Sequence, residues 1–161
     1  MQFGMDKVRI EKFKAGQETM IYELIKKVYD EFVSLDYSEK GNQFFYDWIQ
    51  PSRILERQQK HRTILTAILD SIIVGMIEIR DNNIISLLFV DKEYQVRGIA
   101  KKLFQESLKE SIKKDKKLDK FYVHASPFSI PVYNKLGFIG TDVMQENNGI
   151  KYLPMEMKIK K

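Results

Sequence analysis

Three apolar, β-branched runs at residues 64–69, 72–79 and 84–90 are separated only by Asp70-Ser71 and, after Arg80, by Asp81-Asn82-Asn83. Asp, Asn and Ser tolerate the backbone angles of tight reversals, so the runs predict consecutive antiparallel strands, with a hairpin at Asp70-Ser71. The third run, Ile84-Ile85-Ser86-Leu87-Leu88-Phe89-Val90, is almost continuously apolar, which predicts a strand buried on both faces. Beyond it Ala100, Leu103, Phe104, Leu108 and Ile112 recur on one helical face, and Phe121-Tyr122-Val123-His124-Ala125 predicts another strand. A buried strand followed by a helix and a second strand is a crossover unit. Runs 84–90 and 121–125 are therefore expected to be parallel neighbours in a mixed sheet.

The flanking segments complete an order β α α β β β α β α β β. An edge strand is expected at 8–13 and an amphipathic helix at 18–33, where Ile21, Leu24, Ile25, Val28 and Phe32 share a face. A second, aromatic-rich helix is expected at 42–49, limited by Pro51. A short helix at 130–136, stopped by Gly137, precedes two last strands near 138–143 and 152–159. No Gly/Ser/Pro linker or repeat interrupts the 161 residues, so a single domain spanning 1–161 is expected, of α/β (α+β) class with helices on both faces of the sheet. A chain of this length buries roughly 70% of its unfolded surface and needs no covalent or metal staple.

The chain has no cysteine and only two histidines, His61 and His124. Thiol nucleophiles and thiolate metal sites are excluded, and no metal centre is expected. No apolar run approaches the roughly 18 residues that span a bilayer, and residues 1–7 lack the apolar stretch of a signal peptide, so a cytoplasmic protein without membrane attachment is expected. The net charge of +5 admits an acidic partner without naming one. The basic run Lys109, Lys113, Lys114, Lys116, Lys117 and Lys120 has no interleaved aromatic residue and reads as a solvated helix end rather than a nucleic-acid surface.

Chemistry concentrates at the junction Phe89-Val90-Asp91-Lys92-Glu93-Tyr94-Gln95-Val96-Arg97-Gly98-Ile99-Ala100-Lys101-Lys102. A strand ends, a loop follows, and a helix opens on Gly98 and Ala100, which carry little bulk. First-turn amides, the positive end of the helix dipole, and Arg97, Lys101 and Lys102 together make a phosphate cradle in principle. The Gly-x-Gly-x-x-Gly and Gly-Lys-Ser/Thr signatures are absent.

Gln95-x-x-Gly98-x-Ala100 after an apolar strand resembles the Gln/Arg-x-x-Gly-x-Gly/Ala signature of the GNAT N-acetyltransferase superfamily. The segment 125–138, ending Tyr133-Asn134-Lys135-Leu136-Gly137-Phe138, is similar to the last helix of that family with its Tyr-x-x-x-Gly-Phe ending. The resemblance implies a mostly antiparallel sheet of six to seven strands with a splay between its two central parallel strands. It implies acetyl-CoA as cofactor, with backbone groups near Phe89 and Val90 along the pantetheine and Gln95, Val96, Arg97, Gly98, Ile99, Ala100 and Lys101 around the pyrophosphate. Ser126, as helix cap or pantetheine contact, and Asn134 join the cofactor contacts.

The resemblance further implies that Tyr133 is the general acid that protonates the departing thiolate. The general base stays open between His124 at the mouth of the splay, Glu78, and a water held by Ser86. With no cysteine to carry an acetyl group, direct transfer to a primary amine in a ternary complex is the simplest mechanism. Asp30, Glu31, Asp36, Glu39 and Asp47 lie among Tyr37, Phe44, Tyr46 and Trp48, a composition able to hold a cationic amine and equally that of an ordinary helix pair. Polyamine, amino acid, aminoglycoside and protein amino groups all remain open as acceptor, as do a monomer and a homodimer. The rival reading is a sensor of the same fold that holds acyl-CoA without turnover.

Overall fold

The computed structural model describes residues 4, 7–95 and 97–160. Among the described residues there are eight strands: β1 (Arg9–Lys12), β2 (Arg62–Leu69), β3 (Ile72–Arg80), β4 (Ile84–Val90), β5 (Lys120–Ala125), β6 (Ile139–Gly140), β7 (Gln145–Asn147) and β8 (Ile150–Lys158). The helices are α1 (Glu18–Phe32), α2 (Glu39–Trp48), α3 (Pro51–Arg57), α4 (Ile99–Lys114) and α5 (Ile130–Leu136). Strand order is β1-β2-β3-β4-β5-β8-β6, with β7 paired to β8. All pairings are antiparallel except β4 with β5.

The alternation of the strands divides the apolar residues into two cores. On one face Ile64, Ile68, Ile73, Met76 and Leu87 meet Ile21, Leu24, Ile25 and Val28 of α1, together with Ile49 and Ile54. On the other, Leu65, Ala67, Val74, Ile77 and Ile85 pack under Ile99, Leu103 and Phe104 of α4. The Phe104 ring stands edge-on to Phe121 (5.6 Å, 87°) and Phe138 (5.5 Å, 61°). Burying a side chain of this size stabilises by about 1.5–3 kcal/mol, so α4 and β5 are held mainly by such contacts.

Two expectations are corrected. Pro51 does not merely limit a helix. It occupies the first turn of α3, where its missing N–H costs nothing and its fixed φ suits the helix, with Gln50 extended before it. The stretch expected as one strand at 138–143 contains only the two-residue β6. Its partner is β8, which also forms a hairpin with β7 that turns on Asn148-Gly149, both at positive φ (54° and 79°). Strand β4 is covered on both faces, as its apolar run predicts: Ile85 and Val90 lie in one core with Leu88 packed against it, and Leu87 lies in the other with Phe89 packed against it.

Candidate active site

Parallel pairing between β4 and β5 consists of Ile84 with Tyr122 and Ile85 with Val123, and goes no further. The cause lies on the other side of β4. Glu78 pairs with Leu87 and Ile79 with Ile85, so Ser86 is an extra residue that β3 does not match. Such a bulge bends its strand and sharpens its twist. It falls one residue beyond the last β4–β5 pair, and from there the strands diverge, leaving the β5-facing backbone edge of residues 86–90 without a strand partner.

A cavity of about 80 Å³ lies in this opening, lined by Ser86, Leu87, Leu88 and Phe89 of β4, by Val123 and His124 of β5, and by Ser126, Ser129 and Tyr133. Tyr29, Val33, Tyr37 and Phe45 close it from the α1–α2 side. The expected site residues Phe89, Ser126 and Tyr133 thus meet in one place, together with His124 and Ser86.

Tyr133 is 5% exposed and is placed by the short α5. Pro131 lies in the first turn of that helix, Gly137 closes it, and Phe138 N–H returns to the Tyr133 carbonyl (2.9 Å). Phe138, 1% exposed, anchors the turn and sets its ring edge-on to Tyr133 (5.5 Å). Burial first, and the neighbouring Tyr37 second, hold the Tyr133 phenol well above its ordinary value, so it is a protonated donor throughout the physiological range. Burial and then Asp36 push the Tyr37 phenol up to about 12.

His124 stacks on Tyr152 (4.4 Å, 17°). Burial, and then the positive charge of Arg80, hold its imidazole below the usual 6.5, so it is neutral and able to accept a proton at pH 7. Glu78 is fully buried and lies outside the cavity. Arg62 donates to it (2.9 Å), Gln58 donates to it (3.2 Å), and Arg57 lies 4.0 Å away. Arg57 stacks on Trp48 (3.6 Å), and Arg62 also donates to Ser86 Oγ (3.1 Å). Glu78 therefore neutralises two partly buried guanidinium groups and braces the bulge through Arg62. It does not face the reacting space.

Beyond the end of β4, Gly98 caps α4 at φ +88°, a left-handed conformation that other residues adopt only at a cost. Ile99 is buried in the core, and a Cβ on Gly75 would stand 3.2 Å from its Cγ2, so the start of α4 lies close against β3. Only the backbone of Ile99 can serve a ligand, while Ala100 is half-buried and Arg97 and Lys101 are exposed. Two expected phosphate contacts are turned elsewhere. Gln95 donates its side-chain amide to the Val90 carbonyl (2.9 Å), tying the loop to the strand end, and Lys102 donates to the Val8 carbonyl (2.8 Å). Val96 lies outside the described residues.

Ser126 caps no helix through its side chain. Its hydroxyl shares a hydrogen bond with Ser129 (2.5 Å). Asn134 is exposed, and its carbonyl accepts from Gly137 N–H (3.1 Å). The acids of the first two helices do not line the cavity. Asp30 is held by Lys26 (2.6 Å) and Tyr46, and Glu31 by Lys92 (2.6 Å).

The β7–β8 hairpin was not expected and belongs to this region. Ser38 N–H, at the start of α2, donates to the Gly149 carbonyl (3.0 Å), and a Cβ on Gly149 would fall 1.8 Å from Ser38 Oγ. The dipeptide Asn148-Gly149 is the usual signal for a two-residue hairpin and marks this turn in the sequence. At the far end of α4, Lys109 pairs with Glu106 and Lys114 reaches Thr63, while Lys113 and Lys114 sit in the last turn, where cations complement the helix dipole. Among the described residues no helix is long and apolar enough to cross a membrane.

No curated protein sequence matches the chain. Solved structures do. A PaiA N-acetyltransferase from Thermoplasma acidophilum, solved with coenzyme A, superposes with TM-score 0.80 at 21% identity over 94% of this chain and 99% of that one. A spermidine N-acetyltransferase from Vibrio cholerae, solved with CoA and spermine, gives 0.64 at 14% identity over 95% and 96%. The ribosomal-protein-S18-alanine N-acetyltransferase of Escherichia coli gives 0.65 at 13% identity over 96% and 95%. At these identities the likeness is one of fold. The profile of the acetyltransferase (GNAT) domain family matches residues 33–159, most of the chain, and with the splayed β4–β5 pair and the glycine-capped α4 on the page, the chain belongs to that family.

Proposed function

We propose that the protein is an N-acetyltransferase that uses acetyl-CoA to acetylate a primary amine, with Tyr133 as general acid. The observation that carries this reading is the parting of β4 from β5 one residue before the Ser86 bulge, beside a cavity that contains a buried phenol and a lowered-pKa imidazole. The residues present suit the cofactor. An unpaired strand edge accepts a pantetheine arm as an added strand would, and the start of α4, where Arg97, Gly98 and Lys101 are exposed, suits a pyrophosphate. Acetyl-CoA supplies the acetyl group as a thioester.

The protein groups then manage two protons. The attacking amine must be neutral and lose a proton as its new C–N bond forms, and His124 is the acceptor in the cavity. The departing sulfur must gain one as the C–S bond breaks, and Tyr133 is the donor. An ordinary thiol has a pKa of about 8.5 and a phenol about 10, so in water the transfer runs uphill. Burial disfavours thiolate and phenolate alike and leaves that gap in place, so the donor acts by delivering its proton as the C–S bond breaks, before a free thiolate forms.

The test is release of free thiol from acetyl-CoA across a panel of amines, with acetyl-CoA affinity measured on the same preparation. Amine-dependent thiol release supports the reading. Tight acetyl-CoA binding with no amine acetylated would make the domain a sensor.

A further inference from the structure

Resting on the acetyltransferase reading, we infer that the acceptor is a primary monoamine whose amino group is carried on an aromatic or branched apolar body, rather than a polyamine or an aminoglycoside. The wall facing β4 is made of rings. Tyr29 and Phe45 stack face to face (4.0 Å, 5°), Phe45 reaches Phe89 (6.2 Å, 49°), and Tyr37 stands edge-on to Tyr29 (5.8 Å). Phe32 and Phe128, next in sequence to the lining residues Val33 and Ser129, stack at 4.5 Å and extend the apolar surface.

No carboxylate is among the described residues that line the cavity. The acids whose charge reaches a lining phenol, Asp36 at Tyr37 and Asp30 at Tyr29, lie outside it, and Asp30 is already bound by Lys26 and Tyr46. Glu31 is paired with Lys92, and Glu78 with Arg62.

An acceptor bearing several ammonium groups must leave water with each of them, and aromatic faces replace only part of that hydration. Without carboxylates on the wall, each added positive charge weakens binding. A monoamine has no such burden. Its one amino group must be neutral to attack, and an apolar cavity favours the neutral form, so the same lining that rejects a polycation prepares the nucleophile. The body of the acceptor then gains by covering the half-buried rings of Tyr37, Phe45 and Phe89.

The experiment is a comparison of kcat/KM, by thiol release at saturating acetyl-CoA, for 2-phenylethylamine, n-butylamine, spermidine, an aminoglycoside and a short peptide with a free N-terminus. Phenylethylamine is expected to exceed spermidine and the aminoglycoside by at least about tenfold, the size of a pocket-level discrimination. Phe45→Leu, which keeps an apolar residue and removes a ring, should lower the phenylethylamine-to-butylamine ratio at least about fivefold. Because that readout is a ratio, a partial loss of folded protein leaves it unaffected, and the wild-type comparison stands without the variant. Spermidine, the aminoglycoside or the peptide turning over as well as phenylethylamine overturns the inference while leaving the acetyltransferase reading intact. Acetyl-CoA binding with no amine acetylated overturns both.

Discussion

Replacing Glu78 by glutamine keeps the shape of a fully buried side chain and removes the one negative charge between Arg62, at 2.9 Å, and Arg57, at 4.0 Å. Arg62 and Arg57 keep only 14% and 13% of their side chains exposed, so neither can recover its hydration without moving. Burial already outweighs the other influences on Arg57 and holds its pKa below the ordinary guanidinium value. Removing one partner of a buried pair costs about 3–5 kcal/mol. An isosteric amide that still accepts from Arg62 belongs at the lower end, about 3 kcal/mol. For a chain of this length that is a fall in Tm of roughly 6–12 °C. Urea denaturation should show the midpoint fall with an unchanged slope. Combined with Arg62→Met, the loss should be smaller than the sum of the two single losses, because the second substitution removes the charge the first left bare. A loss below about 1 kcal/mol would show that water reaches the cluster and would refute the reasoning. If Glu78→Gln also abolished the acid limb of kcat/KM, Glu78 would be the general base and the assignment to His124 would be wrong.

The other expectations follow from the same geometry. Gly98→Val places a β-branched residue at φ +88°, where a side chain costs about 1–2 kcal/mol, so acetyl-CoA affinity measured by calorimetry should fall by roughly tenfold or more. His124 has a folded pKa below 6.5, so the acid limb of kcat/KM should have its midpoint below 6.5 and should vanish in His124→Gln. The same shift makes His124 a destabilising group in acid: its contribution is full above 6.5 and is lost as pH falls towards the folded pKa, which a series of denaturant titrations should detect. Gly149→Ala drives a Cβ to within 1.8 Å of Ser38 Oγ at φ +79° and should loosen the hairpin from α2. Steady-state kinetics should then show KM for the amine rising while acetyl-CoA affinity holds.

Where periodicity and turn chemistry agree, the fold was legible from the residues. Asp70-Ser71 and Asp81-Asn82 take the positive φ expected of tight reversals, and the strand at 84–90 and helix at 130–136 lie where their patterns end. Gly98 and Tyr133 were picked out by the resemblance, through Gln95-x-x-Gly98-x-Ala100 and Tyr133-x-x-x-Gly137-Phe138, and not by periodicity. What was hidden depends on pairing across the chain. The Ser86 bulge is set by the register of β3 against β4, and nothing local in Ile84-Ile85-Ser86-Leu87 announces it. The same holds for the acids: Asp30, Glu31 and Glu78 read alike in sequence, and only the folded neighbours separate surface pairs from a buried brace. Gln95 and Lys102 stand where a phosphate motif would place them, yet in the fold their side chains donate to the carbonyls of Val90 and Val8. The short β7 was overlooked for a different reason. Three polar residues carry no apolar alternation, and the Asn148-Gly149 signal beside them was the available clue.

Turnover of the Tyr133→Phe variant, measured as thiol release at saturating acetyl-CoA and amine alongside calorimetric acetyl-CoA affinity, tests the central claim most directly. Removing one hydroxyl from a 5% exposed ring changes no side-chain volume that the core depends on, so the protein should fold and bind acetyl-CoA within about twofold of the wild type. Its turnover should fall by about a hundredfold, the contribution of a positioned general acid. Turnover equal to that of the wild type would contradict the account.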